Sequence, residues 1–151
     1  MIFISHRGNI SGPNKKLENS PSYVFQAIEK GFDVEIDVRL IDSKFFLGHD
    51  KPEYEVDFKF LKMPEIWCHA KNILALEALL SIGANCFFHD TDDTVLTSTR
   101  YMWTYPGKEI TNRSIIVMPE IFKYNSQDFC RAAGICSDFI CEYREKYVNN
   151  S

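Results

Sequence analysis

FDVEIDVRL, residues 32–40, is the stretch whose reading decides the fold. Side chains of a strand alternate between two faces. Val34, Ile36 and Val38 therefore share one face, and Glu35, Asp37 and Arg39 share the other. The apolar face reads as the surface on which helices pack. The two carboxylates have two readings. Either the strand lies at an edge with one solvated face, or the carboxylates are buried and a cation compensates them, because an unpaired buried charge is expensive. Carboxylate oxygens paired in this way suit Mg²⁺ or Ca²⁺.

Outward from this strand, strand-like and helix-like segments take turns. IFIS (2–5) reads as a strand, and GNISGPNKKLENS as a loop rich in turn formers. PSYVFQAIEKG (21–31) reads as a helix, with Ser20 as its cap, Pro21 in its first turn and Gly31 at its end. FFLGHD (45–50) follows a tight turn at Asp42-Ser43 and folds back on the preceding strand as a hairpin. EIWCHAK (65–71) is a strand and NILALEALLSIG (72–83) a helix ending at glycine. NCFFH (85–89), YMWTY (101–105), SIIVMP (114–119) and GICSD (134–138) are further strands. NSQDFCRAAG (125–134), capped by Asn125 or Ser126, and FICEYREKY (139–147) are helices.

Strands alternating with helices predict an α/β fold with a parallel sheet. An open doubly wound sheet and a β/α barrel both fit this order. A full eightfold barrel takes about 250 residues. A barrel of 151 residues needs helices reduced to loops, above all between residues 90 and 114. The whole chain, 1–151, reads as one domain.

Composition narrows the partners. The net charge is −4 with no basic run, which argues against nucleic acid and against an anionic membrane surface. No apolar stretch approaches the roughly 18 residues of a membrane span, so no stable membrane insertion is expected. The N-terminus carries no charged-then-apolar leader. Five cysteines, an odd count without CxxC spacing, read as small buried residues in a reducing compartment. A cytoplasmic location is the expectation.

The four histidines, His6, His49, His69 and His89, each stand at or near the C-terminal end of an expected strand. In parallel α/β folds those ends share one face, where active sites lie.

In order, the chain shows SHRG (5–8), ENS (18–20), GFDVEIDVR (31–39) and DSKFFLGHD (42–50). This set resembles the glycerophosphodiester phosphodiesterase family of the phospholipase C-like phosphodiesterase superfamily. The resemblance implies a reduced, TIM-like β/α barrel with parallel strands and several helices shortened or lost. It implies metal-assisted cleavage of a small phosphodiester. His6 and His49 would be the acid–base pair, and Arg7 and Lys71 would bind phosphate. Glu35, Asp37 and His69 would hold the divalent metal, with Glu18, Asn19 and Trp103 lining the site. Ser20 replaces the family's usual threonine. His69 stands where the family carries a glutamate, whereas Lys71 is kept. Histidine brings no negative charge and favours softer ions, so Mn²⁺ or another ion joins Mg²⁺ and Ca²⁺ as candidates. A ligand role for His69 and a hydrogen bond to phosphate or water both stay open. Only residues 51–64 follow where the family has a longer insertion, which implies a more open pocket. Two alternatives accompany this reading: a non-catalytic phosphate-binding barrel, and a sphingomyelinase D-like lyase acting on phospholipid headgroups.

HDTDD (89–93) reads as a solvated helix cap in preference to a second metal cluster. Trp103 reads as core in preference to a headgroup platform. Strands whose covering helices are missing expose apolar faces, and the expectation there is a homodimer.

Overall fold

The computed structural model describes residues 1–148; the last three residues of the expected domain, 149–151, lie outside the described ones. The elements run β1 (Ile2–His6), α1 (Pro21–Glu29), β2 (Asp33–Ile41), β3 (Lys44–Leu47), β4 (Tyr54–Val56), α2 (Phe58–Leu61), β5 (Ile66–Ala70) and α3 (Ile73–Ile82). They continue with β6 (Cys86–Phe87), β7 (Thr94–Leu96), β8 (Met102–Thr104), β9 (Ser114–Val117), a 3-10 turn (Pro119–Ile121), α4 (Ser126–Arg131), β10 (Gly134–Ser137) and α5 (Ile140–Val148).

The strands form one mixed, curled sheet. Its parallel run is β6-β5-β2-β1-β10-β9-β8. β7 adds antiparallel to β8. β3 and β4 form a meander off the far end of β2. The order of the parallel strands is cyclic in sequence, as in a barrel. No ladder pairs β6 with β7 or β8 among the described residues. Instead the segment after β7 bridges that gap, with the Ser98 N–H donating to Cys86 O at 2.8 Å and the Cys86 N–H donating to Ser98 Oγ at 2.9 Å. The expected α/β class therefore holds, with a sheet that is only partly parallel and without a continuous closed ladder among the described residues.

Local chemistry explains the elements. Asn72 caps α3 by accepting from the Ala75 N–H, and Gly83 ends it in the left-handed region. Asn125 caps α4 in a reciprocal capping box with Asp128. Ser20 precedes α1, but its hydroxyl makes no capping bond, and Pro21 supplies the start. Four elements escaped the sequence pattern: β4, β7, the single turn α2 and the 3-10 turn. Each has only three or four residues, too few to show a period. No helix follows His89, which corrects the expected cap at HDTDD; the chain there runs straight into β7.

Packing divides by face. Val34, Ile36 and Val38 face outward onto Val24 and Ala27 of α1 and Ala75 and Leu79 of α3. Ile116 and Ile135 face outward onto Phe129 of α4 and Ile140 of α5. Inside the curl, Ile4, Trp67, Phe87, Trp103, Ile115 and Cys136 form a second, apolar cluster. Gly134 lets β10 sit against β1, since a Cβ there would stand 2.7 Å from the Ile2 carbonyl oxygen. Cys68, Cys86 and Cys136 are free and buried, as expected of small core residues, whereas Cys130 is exposed and Cys141 half-buried, which corrects the expectation for those two. No described helix is long and apolar enough to cross a membrane.

Candidate active site

Period two builds the site. On five inward-facing strands an apolar residue is followed, two positions later, by a polar one: Ile4 by His6, Trp67 by His69, Phe87 by His89, Trp103 by Tyr105, Cys136 by Asp138. The first residues form a dry floor, and the second form a polar layer above it at the C-terminal strand ends. Strand register aligns that layer, with His6 beside Glu35 and Asp37 beside His69.

Glu35 is 2% exposed and Asp37 0%, so the edge-strand reading is overturned. Their charge is met by cations on neighbouring segments. Arg7 Nε lies 2.8 Å from Asp37 Oδ2, and Lys71 Nζ lies 3.7 Å from Asp37 Oδ1. His69 Nδ1 lies 3.4 Å from Asp37 Oδ1 and 3.6 Å from Glu35 Oε1. The Asn19 side chain clasps the same residue twice. Its Nδ2 donates to Asp37 Oδ2, and its Oδ1 accepts from the Asp37 N–H, both at 2.9 Å. Arg7 and Lys71, expected to grip phosphate, thus both rest on Asp37.

The donor set fits a divalent cation. One ligand atom each from Glu35, Asp37 and His69 lies within 4.8 Å of the others. Glu35 Oε2, Asp37 Oδ1 and His69 Nε2 are buried without a hydrogen-bond partner, a state that normally demands an explanation such as a bound ion. Two hard oxygens and one imidazole suit Mn²⁺ as well as Mg²⁺ or Ca²⁺.

Two histidines pair with aspartates. His6 Nδ1 lies 2.8 Å from Asp138 Oδ1, and His49 Nδ1 lies 2.7 Å from Asp50 Oδ1. A carboxylate only accepts, so each aspartate places the proton on Nδ1 and leaves Nε2 for other work. His6 Nε2 is 3.9 Å from Glu35 Oε2. Burial disfavours the His6 imidazolium, but the Asp138 hydrogen bond and the Glu35 charge outweigh it and raise its pKa. Burial likewise opposes the charged form of His69, and the Asp37 and Glu35 carboxylates overcome it. For Asp37 burial is opposed by His69, Arg7 and Asn19, which hold its carboxyl well below the usual range. Burial, then the charges of His69 and Lys71, push His89 down. His89 stacks on His69 with ring centroids 4.9 Å apart.

These directions predict how the metal-free protein responds to pH. His6 and His69, raised in the fold, contribute stability that is complete below about pH 6.5 and lost as pH climbs through their folded values. Asp138, lowered mainly by His6 against its own burial, contributes stability complete above about pH 3.9 and lost as pH falls through its folded value. Urea unfolding in chelator should therefore show maximum stability between those limits and a decline toward pH 9. Added Mn²⁺ should stabilise more at pH 8 than at pH 6, because His69 must shed a proton to ligate. Equal metal stabilisation at both pH values contradicts the His69 ligand role.

The first two sequence motifs build one turn. Arg7 and Asn19 both have positive φ, 56° and 64°. The Arg7 N–H donates to Glu35 O and the Asn19 N–H donates to Arg7 O, so the two loops lock against β2. Gly8, at φ 94°, lies against the Tyr23 ring, and an added Cβ would sit 2.6 Å from Tyr23 Cδ1. Gly8→Ala should cost about 2 kcal/mol in chemical unfolding from backbone strain and this clash. A cost near zero contradicts the turn's geometry.

A cavity of about 460 Å³ opens over the polar layer. One wall carries His6, Arg7, Glu35, His49, His69 and Lys71, and Trp103 lies at its floor. Trp103 is thus both core and lining. A second cavity of about 300 Å³ adjoins it, sharing Arg7 and His49, and takes in Glu18 and Asn19.

Protein-family models, curated proteins and solved structures offer no match to this chain.

Two site residues carry no motif signal. Asp138, which orients His6, stands 132 positions away in sequence. Asn9 donates to Asp138 at 2.8 Å and to Glu18 at 3.0 Å, tying the His6 dyad to the second cavity. Position at the end of the last strand was the only hint for Asp138.

Proposed function

We propose that the curled sheet is a reduced β/α barrel of the glycerophosphodiester phosphodiesterase kind, whose rim cleaves a phosphodiester by metal-assisted acid–base catalysis. The observation that carries this reading is the pair of histidine–aspartate dyads facing one cavity with the buried Glu35–Asp37–His69 cluster. Glu35, Asp37 and His69 would hold a divalent cation, whose charge offsets that gathering on the phosphate oxygens. Lys71 and Arg7 add positive charge on the same wall.

His6, set between Asp138 and Glu35, is in surroundings that favour imidazolium. It is the proton donor: its Nε2–H goes to the leaving oxygen as that P–O bond breaks. His49 Nε2, more exposed, takes the proton from the attacking oxygen as the new P–O bond forms. Asp138 and Asp50 hold the two rings by Nδ1, and the aromatic floor of Trp67, Phe87 and Trp103 keeps water from beneath.

The test is turnover of a bis-aryl phosphodiester and of a panel of glycerophosphodiesters and lysophospholipids. It is run with Mg²⁺, Ca²⁺, Mn²⁺ or chelator, on wild type and His6→Ala. Metal-dependent turnover lost in the variant supports the reading. Folded protein inactive with every metal sinks it. Isotopically labelled water separates hydrolysis, which incorporates the label, from a lyase that releases a cyclic phosphate without it.

A second reading has its own observation. Arg7 and Lys71 already balance Asp37 from within the chain, as a phosphate-binding barrel without turnover would require. Phosphate binding that is indifferent to chelator, with no activity, favours that reading.

A further inference from the structure

The main cavity has two unlike walls. Facing the charged side stand Tyr105, Pro106, Val117, Met118 and Ile121, above Trp103, while His89 and Asp90 also line the cavity, His89 in ring contact with both His69 and Tyr105. The apolar side does not end at the phosphate layer. It runs out to Ile121, which lines the cavity and is 68% exposed, and the next residue, Phe122, outside the lining, is 47% exposed. Phe122 lies over Gly107, next to Pro106 of that wall, with its ring 3.0 Å from where a Gly107 Cβ would be.

Single exposed apolar residues are ordinary on protein surfaces. This pair is held in place by specific bonds. β9 ends at Val117, and Met118 after it lies in the left-handed region, φ 46°, a strained conformation for a residue with a side chain. The turn that follows is clamped by Glu120, whose Oε2 accepts from the Ser137 hydroxyl at 2.9 Å and whose Oε1 accepts from the Asp138 N–H at 3.1 Å. Asp138 is the residue that orients His6. One chain of bonds thus sets both the proton donor and the apolar lip. Ligand cavities commonly join an apolar wall to a few placed polar groups, and about 460 Å³ lies in the size range of such cavities.

We infer that this site takes an amphiphilic phosphodiester, one whose alcohol carries a single alkyl or acyl chain lying along Val117, Met118 and Ile121 toward Phe122. The inference rests on the phosphodiesterase reading above and names its substrate class. A small polar diester would leave this wall bare and wet, whereas a chain removes its apolar surface from water.

The experiment compares ethyl, octyl and dodecyl 4-nitrophenyl phosphodiesters, each kept below its aggregation concentration. Water adds to phosphorus, 4-nitrophenol leaves, and the alkyl phosphate stays behind. The value of kcat/KM should rise about tenfold from ethyl to octyl, a gain that burial of a few methylenes supplies. Ile121→Asn should cut the octyl-to-ethyl ratio several-fold. Equal turnover of ethyl and octyl esters overturns the inference and leaves the phosphodiesterase reading standing. A chain-length gain seen only above the aggregation concentration also overturns it, since that gain belongs to a surface. If no ester is cleaved, the phosphodiesterase reading fails, and binding decides the rest. Octyl phosphate is then titrated against ethyl phosphate by tryptophan fluorescence. Tighter binding of octyl phosphate by about tenfold keeps the apolar subsite, and equal affinities remove it.

Discussion

Asp37→Asn should lower the stability of the metal-free protein by about 3–5 kcal/mol, the usual loss when one partner of a buried ion pair is removed. In a chain of this size that is about 10 °C in melting temperature. The reason lies in the partners. Asp37 is fully buried and receives Arg7, Lys71, His69 and two bonds to Asn19. Neutralising it removes the anion that Lys71 faces and leaves Arg7 with Glu18 alone, at 3.4 Å. Glu35→Gln should behave differently in the same buffer. Glu35 Oε2 is buried without a hydrogen-bond partner, and its nearest cationic groups are histidines at 3.6 and 3.9 Å. Removing a charge that poorly compensated should be neutral or stabilising. Both variants should lose the stabilisation conferred by Mn²⁺, read as the melting shift between chelator and metal. If Glu35→Gln destabilises as much as Asp37→Asn in chelator, the account of which carboxylate the cations serve is wrong. If either variant keeps the metal shift, its ligand role is wrong.

His6→Ala and His49→Ala should each lower kcat on a phosphodiester by about 10³-fold, the middle of the range for loss of a positioned acid or base. The pH profiles should tell them apart. A proton donor fails at high pH and a proton acceptor at low pH. His6→Ala should therefore abolish the alkaline limb of the rate profile and His49→Ala the acid limb. Asp138→Asn supplies the finer test. It replaces the carboxylate that raises His6 by a neutral amide, so the His6 pKa falls and the alkaline limb moves to lower pH, with a smaller loss of rate. An alkaline limb unmoved by Asp138→Asn assigns that limb to another group and reverses the roles given to His6.

The pattern in residues 32–40 could be read because it depends on local geometry alone. Alternation places Val34, Ile36 and Val38 on one face and Glu35 and Asp37 on the other wherever the strand lies, and the structure keeps that division. The four histidines at strand ends were legible for the same reason, and three of them, His6, His69 and His89, share the polar layer over the apolar floor, with His49 at the same cavity. Asn72 and Gly83 marked the ends of α3 because caps are chosen by backbone groups a few positions away.

By itself the sequence determined the order of the longer strands and helices, the face each of their strand residues takes, and the set of acids, imidazoles and cations available at the rim. Tertiary structure alone decided which of them meet. Burial of Glu35 and Asp37 depends on β1 and β5 lying on either side of β2, a non-local pairing that no pattern within residues 32–40 encodes. Arg7 and Lys71 carry the same charge in any reading, and only the folded chain sets both against Asp37. Asp138 reaches His6 because β10 pairs with β1, and Ile121 reaches the cavity mouth because Glu120 is bonded across to β10. Short-range geometry is written in neighbouring residues, whereas contacts between distant segments depend on how the whole sheet curls.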